Sequence, residues 1–191
     1  MKKIFLVIIL ILLNNILYAA EFRGSFFQGN LIIGKVEKGT KVFVDKKKIK
    51  VSDQGFFVFG LSKDRKNDVI IETIKNQESK QIIKKVYKKK YKIQKIKGLP
   101  SNQVTPPKEV YERIKNDNKL IGKTRSINSN FTFFNDEFKM PIKNTIITGV
   151  YGSQRILNGI PKWPHYGLDF ARKKGSPIKA MNNGIVTLAE K

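Results

Sequence analysis

Three prolines constrain this chain more than any other feature. Pro100, Pro106 and Pro107 lie close together near the middle. Proline has no N–H to give to a ladder, and it pushes the residue before it out of the helical region. Gly98-Leu99-Pro100 and Thr105-Pro106-Pro107 therefore bracket a linker that no sheet can cross. A chain of 191 residues divided there yields two small domains rather than one large one.

Before the linker the signals are strands and turns. Leu31-Ile32-Ile33, Val42-Phe43-Val44, Phe56 to Phe59 and Val69 to Ile71 are short β-branched or aromatic runs. Gly34, Gly39, Asp53-Gln54-Gly55, Gly60 and Lys66-Asn67-Asp68 punctuate them. The even spacing predicts a small antiparallel sandwich over residues 21–98. Ile82 to Ile96 reads as one strand with a buried face, its lysines lining the other.

Residues 99–129 form the linker, with one helix. Thr105 suits an N-cap and Pro106 the first helical position, and Val110, Ile114 and Ile121 then share a face, which predicts a helix from Pro106 to Leu120. A second β unit is expected over residues 130–191, from Phe131, Phe133, Phe134, Phe138 and the β-branched run Thr145 to Val150. Without disulfides its core is marginal. The chain as a whole is expected to be mainly β, and its thirteen phenylalanines suffice for compact β cores.

The start of the chain has the anatomy of an export signal. Lys2 and Lys3 precede the apolar run Ile4 to Leu13, then come Asn14-Asn15 and the small pair Ala19-Ala20. That run falls short of the roughly twenty residues a spanning helix needs, so residues 1–20 are expected to be cleaved and to leave no transmembrane anchor. Tyr18 and Leu17 occupy positions where small residues are preferred, so the cut is placed only near Ala20. The protein is expected in the periplasm or cell envelope.

Export changes how the net charge of +23 is read. Nucleic acid is not an expected partner, even though lysines interleave with Tyr87 and Tyr91, whereas anionic envelope polymers are. Lysines greatly outnumber arginines, and a lysine binds phosphate or carboxylate as a point charge, which suits loose adhesion. A lysine-rich solvated surface gives the same composition, and the sequence does not separate the two. The absence of cysteine excludes a thiolate nucleophile and any cysteine-based metal site.

The single histidine lies in Pro164-His165-Tyr166-Gly167-Leu168-Asp169-Phe170. Imidazole nitrogen and carboxylate oxygen are both good Zn²⁺ ligands. In a fully extended chain His165 and Asp169 would share a side but sit roughly 13 Å apart, too far to reach one ion. The chain must bend, with Gly167 to permit it, and Pro164 argues against a helix.

Gly152-Ser153-Gln154-Arg155-Ile156-Leu157-Asn158-Gly159, the His165 segment, Gly175-Ser176-Pro177-Ile178-Lys179-Ala180 and Gly184-Ile185-Val186 together resemble the lysostaphin-type (LytM-like) zinc metallopeptidases that cut peptidoglycan cross-bridges. The resemblance runs from about Phe138 to Lys191. It implies an antiparallel β peptidase core, a peptidoglycan peptide as substrate, Zn²⁺ as cofactor, and His165 and Asp169 as two of three protein ligands. The family's third ligand is the second histidine of a downstream H-x-H whose first histidine helps activate water. Only one histidine is present, so no catalytic residue is assigned within these residues. The chain is expected to be the N-terminal part of a peptidase domain, since both remaining ligands are intact. The alternative is a non-catalytic wall-binding or amidase-activating homologue.

Arg155, Asn158 and Tyr166 flank the motif. They either line a substrate groove, with Arg155 a partner for a peptide carboxylate, or serve the fold, with Asn158-Gly159 a plain turn. Gly149 and Gly152 read as strand-end turns.

Overall fold

The computed structural model describes residues 20–190, so the assignment of an export signal to residues 1–20 lies, apart from Ala20, outside the described residues. The chain divides into two units, one ending at Lys88 and the other beginning at Lys89. The fold is mainly β, and among the described residues no helix is long and apolar enough to cross a membrane.

Among its described residues the first unit holds seven strands: β1 (Glu21–Arg23), β2 (Leu31–Lys35), β3 (Lys41–Val44), β4 (Lys47–Ile49), β5 (Phe56–Gly60), β6 (Val69–Lys75) and β7 (Glu78–Lys84). They form an antiparallel sheet of order β1-β2-β5 and another of order β4-β3-β6-β7. Alternation decides what is buried. Ile32 on β2, Val42 and Val44 on β3, Phe57 and Phe59 on β5, and Val69 and Ile71 on β6 all enter one core to which both sheets contribute. The rings of Phe57 and Phe59 stack, and Phe22 meets Phe57 edge-on. Gly34 lies directly opposite Phe57, leaving the space that the ring covers.

Two hairpins here turn on pairs of residues with positive φ, Asp45-Lys46 between β3 and β4 and Asn76-Gln77 between β6 and β7. Such mirror-image turns match the right-handed twist of the strands they join. Asp45 is further fixed by a two-armed pair with Arg65, Nη1 to Oδ2 at 2.6 Å and Nη2 to Oδ1 at 2.9 Å. Arg65 also donates to the carbonyls of Asn67 and Asp68, so one guanidinium ties the loop before β6 to the hairpin.

The Arg65 hydrogen bond, helped by the Ile70 amide, holds the Asp45 carboxyl below its usual range despite partial burial. A carboxyl whose pKa is depressed by folding contributes stability above its unfolded value, near 3.9, and loses that contribution as pH falls through the lower folded value. Asp45→Asn keeps the turn geometry and removes the charge. It is expected to destabilise the unit near neutral pH by about 0.5–1 kcal/mol, the scale of a solvent-screened pair of good geometry. The two proteins should converge at low pH. Hydrogen exchange of the β3 and β6 amides across pH measures this, and a constant difference down to pH 2 would contradict it.

The sequence reading ran one strand from Ile82 to Ile96, and the structure corrects this. β7 stops at Lys84, Tyr87 makes an isolated parallel bridge with Phe27, and β8 (Ile93–Ile96) belongs to the second unit. Lys88-Lys89-Lys90 separates them, three like charges with no apolar residue to bury. The helix also starts later than expected. A single turn, α1 (Ser101–Val104), ends at Thr105, and the main helix, α2, spans Tyr111–Arg125 after a short 3₁₀ turn at Lys108–Val110. The cause is the second proline: Pro107 disfavours helical backbone at Pro106, so Thr105 closes α1 and does not cap α2.

The rest of the second unit contains β9 (Ile146–Gly149), β10 (Gln154–Leu157), β11 (Ile160–Pro161) and β12 (Asp169–Ala171). β10 pairs in parallel with β8 on one side and antiparallel with β11 on the other. β9 and β12 form a separate antiparallel pair. Asn158 and Gly159, both at positive φ, make the two-residue turn between β10 and β11.

Candidate metal centre

The backbone of His165 is gripped from two sides before its side chain enters any argument. Its carbonyl accepts from the Gly152 amide at 2.7 Å, and its own amide donates to the Ser153 carbonyl at 2.9 Å. Ser153 is buried and turns its hydroxyl onto the Val150 carbonyl at 2.8 Å. Gly152 has φ of +84°, and a Cβ there would lie 2.1 Å from the Tyr91 ring, so both conformation and space require glycine. The Gly152-Ser153 pair is thus the seat of the histidine loop.

From that seat the chain bends at Gly167 and returns as β12. The bend brings His165 Nε2 to 3.1 Å from Asp169 Oδ1. Nε2 is buried and its contact with Asp169 lacks the alignment of a hydrogen bond, which leaves this nitrogen without a hydrogen-bond partner. The close approach sets an imidazole nitrogen beside a carboxylate oxygen, two groups that both serve as zinc ligands. Gly167 itself has no positive φ, and a Cβ there would only touch the imidazole at 3.7 Å.

The glycine that the carboxylate requires stands across the strand pair. Asp169 pairs with Gly149, and the register slips by one residue between Asp169 and Phe170, a bulge of the kind that re-aims a side chain. A Cβ on Gly149 would lie 2.4 Å from Asp169 Oδ2 and 2.9 Å from Arg155 Nη2. Into that space Arg155 extends, donating from Nη2 to Asp169 Oδ2 at 2.7 Å. Its Nε donates to Gln94 Oε1 at 3.3 Å, and Gln94 Nε2 reaches the Thr148 carbonyl at 3.4 Å.

Arg155 and Asp169 thus come together with His165, while Asn158 makes its side-chain hydrogen bonds elsewhere and Tyr166 meets Tyr151. The Asn158 amide exchanges two hydrogen bonds with the backbone of Leu99, at 2.7 and 3.1 Å, and so fastens the start of the linker to the hairpin turn. Tyr166 is exposed, its ring tilted against Tyr151 with centroids 5.9 Å apart. A shallow groove of about 400 Å³ runs beside α1, lined by Ser101, Asn102, Val104, Thr105, Pro107, Asn158 and Ile160. Its lining includes none of His165, Asp169, Arg155 and Tyr166.

Two residues of this constellation carried no functional assignment in the sequence reading. Ser153 lay inside a motif with no role given to it, and Gln94 lies 61 positions before the arginine it holds. The parallel pairing of β8 with β10, which sets Gln94 beside Arg155, has no local signature.

The donor set fits one metal ion. Two ligands about 2.0–2.1 Å from a tetrahedral Zn²⁺ lie about 3.3 Å apart, close to the separation here. Among the described residues no third histidine, cysteine, aspartate or glutamate gathers with them. Compared with protein-family models and with curated proteins, the chain matches none.

Proposed function

We propose that this is an exported, peptidoglycan-directed zinc metalloendopeptidase of the lysostaphin type, of which these residues carry the His165–Asp169 part of the metal site. The observation that supports it most is the pairing of a buried, partnerless imidazole nitrogen with a carboxylate oxygen 3.1 Å away. When bound, zinc would supply Lewis-acid polarisation of a peptide carbonyl.

The chain's own residues divide the supporting work. His165 Nε2 and Asp169 Oδ1 would hold the ion. Gly152 and Ser153 fix the histidine loop, and Arg155 keeps the carboxylate turned toward the imidazole. His165, once a ligand, is not free to move a proton, and these residues contain no other histidine. A third ligand and a base would have to come from outside them. The basic surface suits work beside acidic envelope polymers.

Two ligands give weak, chelator-reversible binding. Zinc titration calorimetry on this chain should show it, and Asp169→Ala and His165→Ala should each weaken it at least tenfold. Equal affinity in all three proteins would remove these residues from the site.

A further inference from the structure

We propose that Arg155 is a positioning residue for Asp169, not a substrate contact, and that Gln94 holds it in that role. The inference rests on the zinc reading above and concerns what makes Asp169 a usable ligand. Three observations carry it.

The first is the division of the carboxylate. Oδ2 accepts from Arg155 Nη2 at 2.7 Å, while Oδ1 stands 3.1 Å from His165 Nε2. A guanidinium on Oδ2 leaves Oδ1 as the less encumbered oxygen, so Asp169 is set to bind a metal through Oδ1. A carboxylate without this restraint rotates about its terminal torsion, which is broad and roughly two-fold. Conformational freedom of that kind must be lost on binding and lowers affinity.

The second is the direction of the guanidinium. Arg155 and Gln94 are register partners on adjacent parallel strands. The Gln94 carbonyl oxygen accepts from Nε, and its amide nitrogen donates to the Thr148 carbonyl. Thr148 precedes Gly149, the residue paired with Asp169. Gln94 therefore links the arginine to the strand that faces the carboxylate, and a planar guanidinium held at Nε presents Nη2 in one direction.

The third is the space. Gly149 admits Nη2 and Oδ2 to a position that any side chain there would occupy. Two of the guanidinium's five donors are thereby committed within the chain, one to the carboxylate and one to an amide oxygen. Outer partners that orient a ligand are typically worth 10–100-fold in metal affinity.

The test uses the 191-residue chain, with Zn²⁺ alone as the probe, by titration calorimetry on wild type, Arg155→Ala, Arg155→Lys, Gln94→Ala, the Arg155→Ala/Gln94→Ala double variant and His165→Ala. Circular dichroism checks each fold. Arg155→Ala should lose about 10–100-fold in affinity and Gln94→Ala about 3–10-fold, with the double variant no worse than Arg155→Ala alone. Arg155→Lys, which keeps a charge near Oδ2 but loses the planar fork, should fall between wild type and Arg155→Ala. A second readout needs no metal: the Arg155 Nε–H proton should exchange slowly in the wild type and quickly in Gln94→Ala. If wild type binds zinc, His165→Ala does not, and the Arg155 and Gln94 variants bind as wild type does, the positioning role is overturned while the zinc reading stands. If wild type and His165→Ala are alike, the zinc reading falls, and this one with it.

Discussion

Gly34→Ala should unfold much of the N-terminal sandwich. A Cβ at that position would lie 2.0, 2.4 and 2.6 Å from three atoms of the Phe57 ring, far inside contact distance. Relief would be cheap if the ring could swing away, but Phe57 has no exposed surface and is packed by Phe59 and Phe22. Either the ring leaves the core or β2 and β5 separate. Overpacking of this kind costs about 1–3 kcal/mol, and expulsion of a core phenylalanine about 3–5 kcal/mol. Against the 5 kcal/mol at the lower end of small-domain stability, either is a large fraction. The β2 and β5 amides should lose most of their protection from hydrogen exchange. Phe57→Leu made in the Gly34→Ala background should restore part of it, because the shorter side chain vacates the space. Wild-type protection in Gly34→Ala would mean that the ring does not cover the glycine.

Gly149→Ala should abolish the zinc binding expected of the wild type. The new methyl falls on Asp169 Oδ2 and Arg155 Nη2, so the ion pair must open or Asp169 must turn. Gly149 has no positive φ, so the cost comes from occupied space and not from backbone conformation. Loss of both the ligand's orientation and its partner should lower zinc affinity by roughly 100-fold, the upper end for outer partners of a metal ligand. Gly167→Ala is the comparison: its methyl would touch the imidazole only at 3.7 Å, and affinity should change little. Calorimetric titration of the two variants side by side measures this. Equal losses would show that the bend at Gly167, and not the space at Gly149, governs the site.

The contrast between those two glycines shows what a sequence can disclose. Gly167 sits inside the motif and draws attention as the residue that lets the chain bend. Gly149 lies eighteen residues earlier and read as a strand-end turn. Its real constraint is the close approach of two side chains, visible only when β9 and β12 are paired. The His165–Asp169 pair was legible because both ligands lie within one short segment. Gln94 was not, since its place is fixed by a parallel pairing between strands far apart in the chain.

The fold divides in the same manner. β2, β3, β5 and β6 announce themselves because Ile32, Val42, Phe57, Phe59, Val69 and Ile71 alternate with outward residues. β4, with Lys47 and Lys48, and β7, with Lys80 and Lys84, lack that pattern, since an edge strand has less to bury. The late start of α2 was recoverable in principle from Pro106-Pro107, where the second proline overrides the capping role suggested by the first.

The lysines on β4 and β7 have a consequence beyond their own hairpins. Among the described residues these strands are the two edges of the four-stranded sheet, and a sheet edge is where a strand from another molecule can add. Charge on the edge is what keeps two copies from zipping together, because joining them would press like charges into one ladder. That protection lasts only while the lysines keep their charge unneutralised. Were a polyanion to neutralise them, the same edges would lose that protection and be open to self-association.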